Sequence, residues 1–306
     1  MTAKKITPTI QGYLMILASA FCFASYGVWS RLLGHHFGIF FQGWVRSAII
    51  LIALLPILKM GNKFKPIAHN DRKWFAITMI FTVFTQAPLY FAFNHLALGT
   101  ATLIFYALFL ITSYLTGWLF LSEKMTSVKI LSSILALIGL FLTFGLSLAV
   151  FSVTAMLLAA LNGIASGGEV ATSKKSTQKY SSLQLTAYSW VLILATHLPL
   201  SIMAGETQLM PAFNFEWLAM LGYALSGLAG FWLVIEGFKH VDASIGSLIG
   251  LLEIPFSIFF GVLLFQDNLT LPIISGGVII ITAAVLPDLY ALKHRRAKPV
   301  PTPLPL

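Results

Sequence analysis

The sequence predicts an all-α membrane protein with about ten transmembrane helices, arranged as two inverted five-helix repeats. Composition is the first observation behind this prediction: of 306 residues, 58% are apolar and 9% are charged, with a mean hydropathy of +0.88. A soluble domain carries about 25% charged residues, so this chain could not build a water-facing surface. The apolar side chains must therefore face lipid.

The second observation is a succession of ten apolar runs, each close to the roughly 20 residues that cross a hydrocarbon core of about 30 Å. Two breaks between runs carry no charge: Asn94 and His95 with Gly99 close the third run, and the Gly145 region closes the fifth. The runs lie at roughly 9–31, 38–58, 74–94, 100–121, 127–147, 150–172, 183–203, 215–236, 243–265 and 270–291.

The third observation is the placement of the basic residues. If successive runs cross the membrane in opposite directions, all but Arg31 and Arg46 of the 19 Lys and Arg residues fall on one side of the membrane. Short loops that retain Lys and Arg face the cytoplasm, so the cell (inner) membrane and two cytoplasmic termini are predicted. A net charge of +9 could indicate nucleic acid. No nucleic-acid partner is expected, however, because these residues lie in short breaks between apolar runs.

The two halves of the chain share short matches in the same order, at offsets of 141 to 145. Because five helices per repeat is an odd number, the second copy must be inverted. We expect a first repeat over 1–148, a second over 149–292, and a disordered Pro-rich cytoplasmic tail over 293–306. The matched segments are Ala24–Gly27 with Ala165–Gly168, Phe93–His95 with Phe238–His240, and Leu119–Thr126 with Leu263–Thr270.

Five plus five helices, Glu123 and Thr126 after the fourth, and Leu252–Phe256 in the ninth resemble the drug/metabolite transporter superfamily, in particular its EamA-type exporters. The first half has Leu110 where the second has a proline, and Asp267 replaces the usual glutamate. The resemblance implies a secondary transporter, not an enzyme, that exports an amino acid or another small metabolite by alternating access.

The expected partners are a small solute, the lipid bilayer and, as a candidate coupling ion, protons; the oligomeric state is open. No cofactor or metal is expected. The single cysteine, Cys22, excludes an intrachain disulfide and a cysteine-based metal site, the histidines are not clustered, and there is no P-loop. An integral membrane enzyme and a channel are the alternative functions.

Three polar residues of the third run, Gln86, Tyr90 and Asn94, have the spacing i, i+4, i+8 of one helix face. A polar stripe facing lipid would leave amide groups unpaired. We therefore expect the stripe to line a central cavity and to bind the solute. The expected aromatic partners are Trp29, Tyr106 and Trp232, chosen from a wider set that also contains Tyr26, Tyr188 and Tyr223.

Three ionisable residues lie within the predicted helices, where charge is costly. Arg46 is either a carboxylate clamp or a structural residue that pairs with an acid or reaches the outer interface. Glu253 is either a proton-coupling carboxylate or a partner for backbone groups that Pro255 frees. Glu169 is expected at the cytoplasmic interface, and the adjoining Gly167 could permit a local helix break.

Overall fold

A computed structural model describes residues 7–34, 36–61, 64–145 and 152–296, which form α-helices, one short 3-10 helix and no strand. Ten stretches are long and apolar enough to cross a membrane, and we call them the first to tenth spans. The third span consists of α3 and α4, and the ninth of α10 and α11. The prediction of an all-α protein with ten spans is confirmed. The helices are α1 Pro8–Leu33, α2 Ile39–Met60, α3 Arg72–Val83, α4 Ala87–His95, α5 Leu98–Leu121, α6 Ser127–Phe144, α7 Val153–Ser176, α8 Ser182–Met203, α9 Phe215–Phe238, α10 Ala243–Gly250, α11 Glu253–Phe265 and α12 Leu271–Arg296.

Both uncharged breaks lie where the sequence predicted them. The first separates α4, which ends at His95, from α5, which begins at Leu98. The second follows α6, where Gly145 caps the helix at φ 63°, a conformation that glycine adopts without a steric penalty. At the C-terminal end, the helix α12 continues to Arg296, into the segment 293–306 that was predicted as a tail. Residues 297–306 lie outside the described part of the chain.

The third span is broken between α3 and α4, so the prediction of one continuous helix is wrong here. Pro88 has no N–H to donate to the carbonyl of Phe84, and Gln86 takes the non-helical angles φ −130° and ψ −68°. The Asn162 side chain on α7 donates instead to the Phe84 carbonyl at 2.9 Å. The break is therefore satisfied by a neighbouring helix.

The ninth span is broken directly before Glu253. Pro255 removes the helical donor to the Leu251 carbonyl, which accepts instead from the Ile254 N–H at 3.0 Å, in a tighter turn. Glu253 consequently becomes the first residue of α11. Unpaired N–H groups and the helix dipole favour a negative charge at that position.

The small residues of α7 serve close packing. A Cβ added at Gly163 would lie 2.8 Å from Leu108 Cβ, and one at Gly167 would lie 3.1 Å from the backbone nitrogen of Ser113. These contacts bring α7 against α5. Because α7 is continuous through Gly167 and Gly168, the local break that these glycines could have permitted is absent.

The packing of the spans repeats between the two halves of the chain, in which the first span is equivalent to the sixth, the second to the seventh, and so on. The first packs on the eighth as the sixth packs on the third, and the fourth packs on the sixth as the ninth packs on the first. The second and seventh spans contact each other directly, as do the fifth and tenth. The two halves of the chain therefore have similar packing.

The same turn ends the fourth and the ninth span. Ser122 and Gln266, at equivalent positions of the two halves, have positive φ angles of 56° and 57°. The next residues, Glu123 and Asp267, donate their N–H groups to the carbonyl oxygen six positions earlier, at 3.0 and 3.2 Å. The local structure thus repeats together with the sequence match.

Each acidic residue of this turn pairs with a basic residue of another helix. Glu123 lies 3.1 Å from Lys174 Nζ on the sixth span, and Asp267 lies 2.8 Å from the Arg31 guanidinium on the first. The Glu123 side chain is 4% exposed and that of Asp267 is 42% exposed. The first pair joins the ends of the fourth and sixth spans, and the second joins the ends of the first and ninth. The repeated motif therefore carries ion pairs that differ in burial.

Candidate solute-binding site

Arg46 on α2 is fully buried and collects polar groups from the third span. Its Nε donates to the Gln42 carbonyl at 3.2 Å, and its Nη2 donates to Gln86 Oε1 at 2.9 Å and to the Tyr90 hydroxyl. Gln86 lies at the helix break and Tyr90 on α4. Two of the three residues of the predicted stripe therefore meet at Arg46.

Three tyrosine rings surround the Arg46 guanidinium. Its Cζ lies 4.1 Å from the ring centre of Tyr223, 5.7 Å from that of Tyr90 and 5.8 Å from that of Tyr26. The Tyr26 and Tyr223 rings contact each other edge to face at 4.5 Å. Aromatic faces attract a cation, and these rings come from α1, α4 and α9. The site is therefore built from both halves of the chain.

Arg46 has no acidic partner. All ten Asp and Glu residues lie in the described part of the chain, and none is within 4.0 Å of its nitrogens. Its Nη1 is buried without a hydrogen-bond partner. The geometry therefore excludes both structural alternatives for Arg46, pairing with an acidic residue and reaching the outer interface.

Glu253 interacts with Tyr106, one of the predicted aromatic residues. The Tyr106 side chain on α5 lies near the Glu253 carboxylate at the start of α11. Tyr26 lies within electrostatic reach of both Glu253 and Arg46. Glu253 at the break of the ninth span therefore interacts electrostatically with one of the three rings around Arg46.

Glu169 is enclosed by protein, with 2% exposure, so the expected interfacial position is wrong. Its carboxylate accepts hydrogen bonds from the hydroxyl of Thr82 on α3 and, at 3.1 Å, from that of Ser189 on α8. The helix α7 continues for seven residues beyond Glu169, which is about 10 Å of helix. Hydroxyl groups of two neighbouring helices thus replace the water that an interfacial carboxylate would have.

Of the remaining predicted residues, only Trp29 adjoins the cluster. Its Nε1 donates to Ser226 Oγ at 2.9 Å, one turn of α9 beyond Tyr223. Asn94 is exposed next to the end of α4, where the stripe leaves the protein interior. Trp232 is half-buried nine residues beyond Tyr223, which is about 13 Å along the helix. The structure therefore does not bring Asn94 or Trp232 to Arg46.

Comparison with known proteins is decisive for the family. The model of the EamA-like transporter family matches residues 10–145 and again residues 153–286, five spans in each case. The chain belongs to the EamA-like transporter family. This confirms the resemblance to the drug/metabolite transporter superfamily and makes the protein a multi-pass membrane transporter of small solutes built from two EamA repeats.

Two further comparisons bear on the fold of this EamA-like protein. A solved chain described only as "Crystal structure of protein" aligns with a TM-score of 0.76 at 15% identity, over 94% of this chain and 99% of that chain. At this identity the alignment supports the fold alone. No curated protein gives a significant match. Among the described residues there is no group of three His, Cys, Asp or Glu side chains that could hold a metal ion.

Proposed function

We propose that this EamA-like protein is a secondary transporter that exports an amino acid or a related small metabolite by alternating access. The observation that carries the proposal is the buried polar site shared by the two halves of the chain. Arg46, Gln86 and Tyr90 come from the first half, and Tyr223 comes from the second. A solute bound between two similarly packed halves can be released to either side as one half moves against the other.

The proposal includes two repeats of inverted orientation, over 1–148 and 149–292, in the inner membrane with both termini in the cytoplasm. The ion pairs Glu123–Lys174 and Asp267–Arg31 support the inversion, because five spans, an odd number, separate the two equivalent turns. The distribution of Lys and Arg over short loops supports the orientation. Alternating access then exchanges the conformations of the two repeats.

The transport test uses purified protein in proteoliposomes loaded with labelled amino acids and related metabolites, with and without a pH gradient. We expect efflux above that of protein-free liposomes. Tyr90→Ala and Gln86→Ala should lower the rate at least about tenfold, because each removes a hydrogen bond to a buried charge, worth about 1.5–3 kcal/mol. Asn94→Ala is the matched control, since Asn94 is exposed on α4, the helix that carries Tyr90. Unchanged rates in correctly folded Tyr90→Ala and Gln86→Ala proteins would show that the site is wrongly assigned.

We propose Glu253 as the proton carrier of this transport, with Glu169 as the comparison. Glu253 interacts electrostatically with Tyr26 of the tyrosine cluster, whereas Glu169 accepts hydrogen bonds from the hydroxyls of Thr82 and Ser189. Glu253→Gln should abolish accumulation driven by a pH gradient while exchange of solute continues, and Glu169→Gln should retain accumulation. If Glu253→Gln accumulates solute with unchanged pH dependence, Glu253 has a structural role at the helix break.

A further inference from the structure

The buried guanidinium of Arg46 carries a charge that no acidic side chain balances. We propose that the balancing charge is a carboxylate group of the transported solute, which Arg46 binds directly. The inference rests on the proposed transport function and names the solute class, namely molecules that present one carboxylate to this site. The surrounding tyrosines belong to the same site.

The cost of the buried charge supports an anionic ligand. Isolated charges are expensive to bury unless they are paired and hydrogen-bonded. Tyr26 and Tyr223 offer uncharged ring faces, and Gln86 and the Tyr90 hydroxyl offer neutral oxygens. Fully buried Nη1 has no hydrogen-bond partner. An anion would therefore supply the charge and the acceptor that the protein does not.

The shape and charge of the site favour a carboxylate over a phosphate. A guanidinium presents its N–H groups as a planar fork that binds a carboxylate through two parallel hydrogen bonds. A phosphate monoester carries nearly two negative charges at neutral pH. Two other basic side chains that are buried or partly buried, Lys129 and Lys174, are already paired with Asp242 and Glu123. Arg46 alone therefore matches a single negative charge.

The helix break supplies a way for the ligand to enter. Gln86 and Tyr90, the two acceptors on Nη2, both belong to the segment that follows the break of the third span. That segment, α4, has nine residues and packs far more on α7 than on α2. Displacement of this short helix would free Nη2 while Arg46 stays on α2. A carboxylate can then take the place of Gln86 and Tyr90.

The first test compares acids with their matched amides on the wild-type protein in detergent micelles. The probes are L-amino acids, their carboxamides, their decarboxylated amines, monocarboxylic acids and inorganic phosphate, and the measurement is the rise of the melting temperature with probe concentration. A ligand that binds the folded state raises this temperature. Because a charged hydrogen bond contributes about 1.5–3 kcal/mol, the amide should need a concentration about ten- to 150-fold higher than its acid.

The second test changes the charge. Arg46→Gln should bring the acid-to-amide ratio close to one, and Arg46→Lys should leave an intermediate ratio because the ammonium keeps the charge without the fork. Arg31→Gln is the control, since it makes the same change of charge in a half-exposed pair with Asp267. Its ratio should equal that of the wild type. If Arg46→Gln does not fold, the comparison of acids with amides on the wild-type protein decides.

The inference is overturned if no acid raises the melting temperature, if acids and amides act equally, if phosphate acts at lower concentration than every acid, or if Arg46→Gln keeps the wild-type ratio. Failure of the proposed function has a different signature. Proteoliposomes that export an amine or a neutral solute, with no preference for acids, retain the function and refute this inference. Acids that bind but never cross the membrane retain the inference and refute the function.

Discussion

The Glu123 carboxylate joins three helices at one end of the bundle, and Glu123→Gln tests what its charge contributes to stability. The carboxylate accepts from Lys174 Nζ at 3.1 Å and from the backbone N–H groups of Ala243 at 2.7 Å and Ser244 at 3.4 Å. The last two begin α10, where the helix dipole favours a negative charge. Glutamine keeps the shape of the side chain, removes the charge and replaces one acceptor with a donor.

The magnitude follows from burial. A hydrogen bond to a charged group contributes about 1.5–3 kcal/mol, and the helix dipole adds about 0.3–1 kcal/mol. With 4% exposure, water cannot replace these contacts, so the free energy of unfolding should fall by about 2–4 kcal/mol. Asp267→Asn is the matched control in the equivalent turn. Its half-exposed pair with Arg31 should contribute at most about 1 kcal/mol.

The assay is the melting temperature in detergent micelles at a fixed heating rate, because unfolding of such proteins is commonly irreversible. At about 2 °C per kcal/mol, Glu123→Gln should melt about 4–8 °C lower and Asp267→Asn about 2 °C lower or less. Adding Lys174→Met to Glu123→Gln should recover part of the loss, because the single variant leaves Lys174 with only the more distant Asp242 carboxylate, at 3.9 Å, to balance its charge. Equal losses for the two single variants, or no recovery in the double variant, would refute the reasoning.

Two further predictions concern packing and pH. Gly276→Ala should lower the free energy of unfolding by about 1–3 kcal/mol, whereas Gly277→Ala should hardly change it. The reason is that a Cβ at Gly276 would lie 2.6 Å from the Gly139 carbonyl oxygen, while the atom nearest to a Cβ at Gly277 is 3.8 Å away. Equal melting temperatures of the two variants in the same micelles would contradict this. The hydrogen bond from Arg31 holds the pKa of Asp267 below its ordinary value of 3.8, so its contribution is present above pH 3.8 and is lost as the pH falls through the lowered pKa. The melting temperatures of wild type and Asp267→Asn should therefore converge only below pH 3.8, and 1 M salt should reduce their difference at pH 7. A difference that does not shrink as the pH falls below 3.8 would show that the ion pair is not its source.

The number and extent of the spans could be predicted from sequence, whereas the breaks inside the third and ninth spans could not be placed. In lipid every backbone group must be satisfied within the protein, so an apolar run of about 20 residues leaves little choice except a helix. Pro88 was the available signal for the break in the third span. Its outcome depends on Asn162, which lies 78 positions beyond Phe84 and donates to the freed carbonyl. No local pattern indicates such a partner.

Only part of the candidate site was predictable, because its remaining residues depend on which helices pack together. Periodicity indicated that Gln86 and Tyr90 face protein, and the structure confirms this, but periodicity reports only which face is polar. It does not report that Arg46 lies opposite. Nor could it select Tyr26 and Tyr223 from the aromatic residues of the spans, because their contact with Arg46 depends on how α1 and α9 pack against α2.

The two halves of the chain repeat in packing but not in the features that form the site. The broken spans are the third and the ninth, which are not equivalent, since five places separate the third from the eighth and the fourth from the ninth. Leu110 and Pro255 reflect this difference, because α5 is continuous where α11 follows a break. The ion pairs differ as well, with Glu123 buried and Asp267 half exposed.

Because the exposed pair contributes less stability, we expect the end with Asp267 to open more readily, and hydrogen exchange should be faster there than around Glu123. Equal protection of the two ends would show that burial of the ion pairs does not determine which end opens.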